Sequence, residues 1–380
     1  MKHFLIIVSL ILAAVPGCGD VTAGDLDPSL QDSGVDWPPF DPGDPDAGII
    51  PDSTTDSDDF LDRDAEVDAA PPAPDAEGEP DSNIDPPAHP DPKVRCPSLL
   101  AAPSFFRSIS YYGATGASLA ALQGDFQKFA YAGICNVRIW TEWGVPVDDV
   151  RVFDKNGNVR PNRMKRLVDL VSIAGSYNVS VDLTMSRPLF NSLAAHIKAA
   201  KSLAMQFKGN PAVAFFDLCN EHEGKINADQ YRQIAEAVIA IDPDRKLTAS
   251  TSGQVSFIAS KYAEILKATP HIHLLTPHFP RVKGWGAKEG PNAKQLANLL
   301  GNMGTTIPPI YLQEPARNAY QGQYYPLSEF VDADKSARAS GVTGICFHTG
   351  AGFDLLNKPL FDQFDSVEMN LLLYFYNNPL

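Results

Sequence analysis

Residues 211–224 read PAVAFFDLCNEHEG, an apolar run that leads without a break into Asn220 and Glu221. Apolar side chains dominate residues 213–218, which is typical of a strand buried on both faces of a parallel sheet. A carboxylate at the end of such a strand has two explanations. Glu221 either begins the acidic first turn of a following helix, or it belongs to a functional site at the end of the strand.

A second strand pattern ends in the same way. Residues 309–313 read PIYLQ and are followed directly by Glu314. Two glutamates at the C-terminal ends of two barrel strands form a pair that can carry acid/base and nucleophilic chemistry. This repetition favours the functional explanation for Glu221 and makes both glutamates candidate catalytic residues.

Strand and helix patterns alternate throughout residues 96–380, a length of 285 residues that suits one large core. The predicted strands are 108–112, 136–140, 179–183, 213–218, 247–250, 274–277, 309–313 and 344–347. The predicted helices are 117–131, 163–176, 191–207, 228–241, 254–267, 293–300, 327–340 and 360–376. Eight such units in order predict an α/β protein with a single closed (β/α)8 TIM barrel. The alternative, a doubly wound open sheet, is weakened because no Gly-rich phosphate loop follows the first strand.

The first 18 residues have the layout of an export signal. Lys2 precedes an apolar run over residues 4–15 that is too short to cross a membrane as a stable helix. The small residues before Cys18 resemble a bacterial lipoprotein signal, in which this cysteine becomes lipidated. The sequence thus predicts an exported protein that is anchored to a membrane through Cys18, with an ordinary cleaved secretory signal as the alternative.

Residues 19–95 differ from the rest of the chain in composition, with 22 acidic residues, 3 basic residues and 14 prolines. Such a segment cannot bury enough apolar area to offset its ordering entropy, so we predict that it is disordered and extended by charge repulsion. It either tethers a folded domain away from a membrane or acts as an inert spacer. The predicted organisation is a signal peptide over 1–18, a disordered acidic Pro-rich linker over 19–95 and a barrel over 96–380.

The acidic linker accounts for the net charge of the chain. The whole sequence carries −15, whereas residues 96–380 hold 24 acidic and 27 basic residues. The overall charge therefore indicates no partner for the folded part, and we expect a monomer that binds no nucleic acid. Apart from Cys18, the cysteines are expected to be buried free thiols rather than members of a particular disulfide. They are Cys96, Cys135, Cys219 and Cys346.

Four short motifs at the predicted strand ends resemble the retaining glycoside hydrolases of clan A, most closely family 5 with its cellulases and mannanases. They are Arg138 in VRIW, Asn220 with Glu221, His278, and Glu314. The resemblance implies a TIM barrel that cleaves a β-linked oligo- or polysaccharide, such as a β-glucan or β-mannan, without a cofactor. It also implies that Glu221 is the general acid/base and that Glu314 is the nucleophile.

The chemistry of such an enzyme makes demands on these residues. Hydrolysis with retention needs an acid that protonates the leaving oxygen and a carboxylate that attacks the anomeric carbon, about 5 Å apart. Glu314 has to stay ionised, and Arg138, which in that family lies near the nucleophile, would favour its charged form. Glu221 has to start protonated, which calls for a partly apolar setting or for repulsion by the charge of Glu314. Asn220 would donate a hydrogen bond to the sugar 2-hydroxyl.

Other residues are candidates for binding the sugar. Trp143 and Trp285 lie in polar or Gly-rich surroundings and could present their ring faces to a pyranose. The sixth strand of the family gives His-x-Tyr, with the tyrosine hydroxyl bonded to the nucleophile, but here His278 is followed by Phe279 and a proline. The eighth strand of the family ends in a tryptophan, whereas here His348 follows the strand and either contacts sugar or caps the barrel mouth.

Two other functions stay open. A metal-dependent barrel hydrolase is suggested by His271, His273 and His278, because His271 and His273 would face one way on a strand. Barrel metal ligands usually gather at C-terminal strand ends, however, and these two histidines fall on the N-terminal side of the sixth strand. The non-enzymatic alternative is a membrane-tethered barrel that binds a glycan without turnover, and the presence of both glutamates argues against it.

Overall fold

The computed structural model describes residues 105–141, 150–315, 324–348 and 359–380. In this part of the chain eight strands form one parallel sheet: β1 Phe106–Tyr111, β2 Asn136–Trp140, β3 Ser180–Thr184, β4 Val213–Asp217, β5 Leu247–Ser252, β6 Ile272–His278, β7 Tyr311–Leu312 and β8 Gly344–Phe347. Their spatial order is β6-β5-β4-β3-β2-β1-β8-β7, and β1 pairs with both β2 and β8. The predicted (β/α)8 barrel is confirmed, because strands that are neighbours in sequence are also neighbours in space.

The barrel closes between β6 and β7 through one isolated bridge. Leu275 and Ile310 form this bridge in parallel orientation, and the Leu275 N–H donates to the Pro309 carbonyl oxygen at 2.9 Å. β7 is shorter than the predicted strand 309–313. Pro308 and Pro309 have no N–H, so the backbone there cannot extend the ladder.

Within the same described ranges, eight α-helices accompany the strands: α1 Leu119–Tyr131, α2 Pro161–Ser176, α3 Leu193–Gln206, α4 Ala228–Ile239, α5 Val255–Ala268, α6 Trp285–Asn302, α7 Leu327–Ser340 and α8 Ser366–Asn377. Four of them begin at a side-chain cap, which is Ser118, Ser192, Asn227 or Asp365. The single helix predicted over 360–376 is instead a 3-10 turn, Leu360–Gln363, followed by α8. Asp365 caps the new start and forms a capping box with Glu368.

The helix α6 begins at Trp285, much earlier than predicted. Its first turn is fixed by the carboxylate of Glu329 on α7, which accepts a hydrogen bond from the Gly286 N–H at 3.0 Å. A Cβ atom on Gly286 would collide with the Glu329 carbonyl oxygen, and one on Gly290 would collide with the Ser336 carbonyl oxygen. Glycines that indicate a loop in the sequence therefore let two helices approach closely.

In the interior of the barrel, aromatic rings pack near the N-terminal ends of the strands, and charged side chains lie further towards the C-terminal ends. Phe106, Phe215 and Tyr311 pack with ring centroids between 4.9 and 6.2 Å apart. Further along the strands the interior holds Arg138 and Asp217, both fully buried. Because buried charges need partners, this polar layer marks the end of the barrel where a site is expected.

The predicted signal peptide, the linker and the start of the barrel at residue 96 lie outside the described residues. Within the described ranges, no helix combines the length and apolarity needed to span a membrane. Cys219 and Cys346 are buried free thiols, as predicted. Cys135 is disulfide-bonded, so the expectation of a free thiol is wrong for this residue. Pairing depends on distances between Cα atoms, which the spacing of cysteines along the sequence does not reveal.

Candidate active site

Glu221 follows β4 in a backbone conformation that is uncommon for a non-glycine residue. Its φ angle is +47°, in the left-handed region that costs an L-residue about 1–2 kcal/mol. The neighbouring strand holds this conformation, because the Glu221 N–H donates to Ser250 Oγ at 3.0 Å and the His222 N–H donates to the Ser250 carbonyl oxygen at 3.2 Å. Strain that is maintained in this way is characteristic of functional positions.

Glu314 follows β7 and is nearly buried, with 8% of its side chain exposed. Arg138 Nη1 donates to its Oε2 at 2.8 Å, and His278 Nδ1 lies 3.6 Å from the same oxygen. Arg281 Nη2 donates to the other oxygen, Oε1, at 3.1 Å. Burial alone would raise the pKa of this carboxyl, but the charges of His278, Arg138 and Arg281 outweigh burial and lower the pKa to about 2. The carboxyl of Glu314 is therefore ionised at any pH near neutrality.

The two glutamates converge with His278 at the C-terminal mouth of the barrel. One oxygen of each carboxylate and one imidazole nitrogen lie within 4.8 Å of one another. This spacing suits displacement with retention, in which the two carboxyl groups lie about 5 Å apart. Glu221 keeps 31% of its side chain exposed, so it is the outer of the two carboxyls and Glu314 the inner.

Arg138 on β2 organises the floor of this site. Its guanidinium lies 4.3 Å from the ring centroid of Trp140 and donates to Thr184 Oγ1 at 2.9 Å. Its Nη2 donates to Asn220 Oδ1 at 2.8 Å and to Asp217 Oδ2 at 3.3 Å. Because Arg138 occupies the amide oxygen of Asn220, the amide nitrogen is the group left to donate to a ligand. The hydrogen bond from this nitrogen to a sugar hydroxyl stays a prediction.

The pKa of Glu221 is lowered, whereas the chemistry of a general acid calls for a raised one. Burial and the charge of Glu314 raise this pKa, as expected. The hydrogen bond and charge of His278, whose Nδ1 lies 3.2 Å from Glu221 Oε1, act in the opposite direction. Lys225 Nζ, 3.9 Å from Oε2, lowers the pKa as well. Whether Glu221 carries a proton therefore depends on His278, which is its hydrogen-bond partner.

The family that the sequence resembles has a tyrosine after the sixth strand that contacts the nucleophile. In this chain His348 and Arg281 contact Glu314 at Oε1. His348, directly after β8, places Nε2 at 3.4 Å from Glu314 Oε1. Its Nδ1 lies 2.8 Å from Ser110 Oγ, and burial lowers the pKa of His348 to about 3, which makes it a neutral ring. Arg281 donates to Glu314 Oε1 and, at 3.3 Å, to the Glu314 carbonyl oxygen. These contacts make His348 a neighbour of the candidate nucleophile.

The structure brings most of the predicted site residues together. Those at the barrel mouth are Arg138, Asn220, Glu221, His278, Glu314 and His348. Trp143 lies outside the described residues. The prediction of Trp285 as an exposed sugar platform is wrong, because this side chain is 1% exposed. Its ring centroid lies 5.3 Å from that of Phe330 and 5.9 Å from that of Tyr325, so it packs α6 against α7.

Sequence reasoning missed four polar residues that surround the glutamates, namely Arg281, Asp182, Asp217 and Gln313. Asp182 and Asp217 are acids within otherwise apolar strands, and Gln313 directly precedes Glu314. A polar side chain in a buried strand needs partners, so this pattern is a usable signal. Arg281 lies in the loop after β6. A charged residue is ordinary in a loop, so the sequence gives no reason to single it out.

The charges around Glu314 argue against a metal ion at this site. A cation held by Glu314 would meet the guanidinium groups of Arg138 and Arg281, which lie within 3.1 Å of the Glu314 oxygens. Such a charge distribution does not fit a metal centre. The histidines of the predicted cluster also lie apart, because His273 and His278 are near opposite ends of β6, about 16 Å apart at the usual rise per residue.

Comparison with solved structures supports the barrel and its resemblance to family 5 at the level of the fold. The chain is similar to a glycoside hydrolase of family 5 from Bacteroides vulgatus, with a TM-score of 0.54 and 13% identity over 73% of this chain and 67% of that chain. It is also similar to an endo-1,4-β-mannanase from Rhizomucor miehei, with a TM-score of 0.54 and 12% identity over 73% of this chain and 95% of that chain.

An exo-β-1,4-mannosidase from an Opitutaceae bacterium gives a TM-score of 0.53 and 14% identity over 76% of this chain and 61% of that chain. No family profile and no curated protein sequence matches the chain. Similarity at this level of identity establishes a shared fold, and the activity has to be argued from the site itself.

Proposed function

We propose that this chain is a retaining glycoside hydrolase that cleaves a β-linked glycan by double displacement. The observation that carries the proposal is the pair Glu221 and Glu314, whose oxygens lie within 4.8 Å at the barrel mouth. The pKa of about 2 for Glu314 supports a nucleophile that is ionised at any pH near neutrality. The partial exposure of Glu221 supports an acid/base that reaches both leaving group and water.

In the first step Glu221 gives a proton to the glycosidic oxygen while a carboxylate oxygen of Glu314 attacks the anomeric carbon. The bond between that carbon and the leaving oxygen breaks, and a covalent ester of Glu314 forms. The amide nitrogen of Asn220 donates to the sugar 2-hydroxyl, a contact that strengthens as positive charge develops on the ring. Arg138 holds both Asn220 and Glu314 in place for this step.

In the second step Glu221 acts as a base. Its carboxylate takes a proton from a water molecule, whose oxygen attacks the anomeric carbon and releases Glu314. The two inversions give net retention of the β configuration. The enzyme returns to its initial state with the proton again at Glu221, so the cycle needs no cofactor.

The substrate class in this proposal is a β-linked oligo- or polysaccharide, with β-mannan and β-glucan as the first candidates. Two of the structures with the same fold are an endo-1,4-β-mannanase and an exo-β-1,4-mannosidase. The proposal treats the protein as a monomer, because a barrel of this type holds the whole catalytic constellation within one chain.

Export and lipid attachment at Cys18 belong to the same proposal and rest on the N-terminal sequence. Extracellular placement suits an enzyme that acts on a polymer too large to enter a cell. Labelled palmitate supplied to producing cells should enter the full-length protein and fail to enter Cys18→Ser. Equal labelling of the two proteins would contradict attachment at this residue.

Hydrolysis of a panel of β-1,4- and β-1,3-linked glycans by the full chain tests the catalytic assignment. Glu221→Ala and Glu314→Ala should each lose activity by about a thousandfold. Azide should rescue Glu314→Ala with inversion of configuration, because the small anion replaces the missing nucleophile. The matched control is Glu264→Ala, which removes a carboxyl that is 54% exposed on α5, and it should keep the parent rate.

The outcomes separate the proposal from its alternatives. Near-parent rates in either glutamate variant would show that the carboxylates are assigned wrongly. Binding of a glycan without cleavage by the parent would favour a tethered glycan-binding barrel. Stoichiometric zinc in the purified protein, with activity lost on its removal, would favour a metal-dependent hydrolase.

A further inference from the structure

A chain of buried polar contacts runs from the centre of the barrel to Glu221. Gln313 Nε2 donates to Asp182 Oδ2 at 2.6 Å, and Gln313 Oε1 lies 3.4 Å from His278 Nε2. On the other side of the ring, His278 Nδ1 lies 3.2 Å from Glu221 Oε1 and 3.6 Å from Glu314 Oε2. Asp182, Gln313 and His278 are all buried, so these contacts decide where the hydrogens lie.

The carboxylate of Asp182 fixes the direction of this chain. An ionised carboxylate only accepts hydrogen bonds, so the amide nitrogen of Gln313 faces Asp182 and the amide oxygen faces His278. An amide oxygen also only accepts, so Nε2 of His278 carries a hydrogen. Burial raises the pKa of Asp182 to about 7 against the opposing charge of Arg138. Asp182 is therefore ionised above this pH, and there the hydrogen bonds keep the donors and acceptors described.

This direction leaves Nδ1 of His278 pointing at the glutamates without a hydrogen of its own. In a neutral ring that is protonated on Nε2, Nδ1 is a lone pair, which an ionised carboxylate 3.2 Å away repels. One proton placed between Nδ1 and Glu221 removes this repulsion, whichever atom holds it. Glu314 does not take the proton, because Arg138 and Arg281 donate to its two oxygens at 2.8 and 3.1 Å and favour its ionised form.

We propose that Asp182 and Gln313 are positioning residues that keep the leaving-group proton at the pair formed by His278 and Glu221. This inference rests on the proposed function, since it assigns the source of the proton in the first step. Glu221 passes the proton to the leaving oxygen, and in the second step a proton from water returns to the pair. The other charged groups around the pair are Glu314, Arg138, Arg281, Lys225 and Asp217.

The shared position accounts for the lowered pKa of Glu221. A carboxyl that forms a hydrogen bond to a protonated imidazole ionises more readily, so Glu221 alone is a weak holder of the proton. The pair formed by His278 and Glu221 keeps the proton. Because the hydrogen of the neutral ring is fixed on Nε2, Nδ1 of His278 can form a hydrogen bond to Glu221 only when a further proton lies between them.

The position of the hydrogen on His278 can be measured without any substrate. Nitrogen-15 NMR of histidine-labelled full-length protein at about pH 8 distinguishes a protonated ring nitrogen from an unprotonated one. The signals of His278 are identified by their absence in His278→Gln. We expect a hydrogen on Nε2 in the parent and a mixture of both tautomers in Gln313→Met, which removes both hydrogen bonds of the amide. A neutral ring in the parent with its hydrogen on Nδ1 would overturn the inference.

The second readout is the dependence of kcat/KM on pH and on the leaving group. In Gln313→Met, His278 can donate from Nδ1 to ionised Glu221 without the additional proton, so the basic limb should move down by about one pH unit. The loss on aryl glycosides with poor leaving groups should be about tenfold or more, whereas 2,4-dinitrophenyl glycosides, which need no acid, should react within about threefold of the parent rate.

Gln233→Met is the matched control for this substitution. Gln233 also donates to an aspartate, Asp229 Oδ2 at 2.9 Å, but it lies on the exposed face of α4. This variant should leave the pH profile and the leaving-group dependence unchanged. A uniform loss in Gln313→Met at every pH and with every leaving group would mean that Gln313 is merely structural, and it would overturn the inference. If no glycoside is cleaved, the proposed function fails, while the NMR result still decides the position of the hydrogen.

Discussion

The carboxylate of Glu314 is contacted at both oxygens by nitrogen-bearing side chains. Arg138 and His278 approach Oε2, and Arg281 and His348 approach Oε1. Against the effect of burial, the charges of His278, Arg138 and Arg281 lower the pKa of Glu314 to about 2. They also reduce its basicity and therefore its strength as a nucleophile. Arg281 is the more accessible of the two arginines that contact Glu314, with 28% of its side chain exposed against 0% for Arg138, so its charge can be removed with little effect on the core.

Arg281→Met should move the acid limb of kcat/KM to higher pH by about one unit. The sign follows from the pKa of Glu314, which is lowered by positive neighbours, so that removal of one neighbour raises it. The pH profile between about pH 2 and 6 measures the shift. Arg232→Met on α4, which removes an arginine paired with Asp229 and Glu236 at the surface, should leave the limb in place. An unchanged limb in Arg281→Met would exclude a role for this residue in ionising Glu314.

The bounds of a strand or helix were predictable from the sequence where they depend on neighbouring residues alone. The predicted bounds of β2, β8 and α7 agree with the structure, because apolar periodicity and a terminal glycine are local features. The start of α6 could not be predicted in this way. Its first turn depends on Glu329, a residue more than forty positions further along the chain. Two of its glycines are needed because the backbone of α7 lies too close for a Cβ atom.

Gly286→Ala should destabilise the protein by about 1 to 3 kcal/mol, because the new Cβ would collide with the backbone of α7. Gly301 lies in the same helix, and a Cβ there would meet only Ile307 Cδ1 at 3.8 Å. Gly301→Ala is therefore the control and should stabilise the protein by about 0.5 to 1 kcal/mol. Urea denaturation curves of the two variants and the parent give both values. Equal stabilities for the two variants would contradict the close contact between α6 and α7.

At the scale of the whole molecule, the order of the strands made part of the site predictable. Glu221 and Glu314 each follow a strand and Arg138 lies within β2, and a closed parallel barrel brings the C-terminal ends of all strands to one mouth. The network behind them was not predictable, because it depends on which interior side chains meet. Asp182 and Gln313 are 131 residues apart in sequence and form a hydrogen bond of 2.6 Å.

Buried carboxyls should make the protein less stable as the pH rises. Burial raises the pKa of Glu289 on α6 to about 8 and that of Asp182 to about 7. Because the folded state holds these protons more tightly than the unfolded state, stability should fall between about pH 5 and pH 8, by up to about 1.4 kcal/mol per pH unit for each group. Glu289→Gln removes one such group. Its melting temperature should exceed that of the parent by several degrees at about pH 9 and differ little at about pH 5. Glu264→Gln, at an exposed carboxyl, is the control and should have the melting temperature of the parent at both pH values. An increase in the melting temperature of Glu289→Gln that is the same at both pH values would rule out ionisation of Glu289 as its cause.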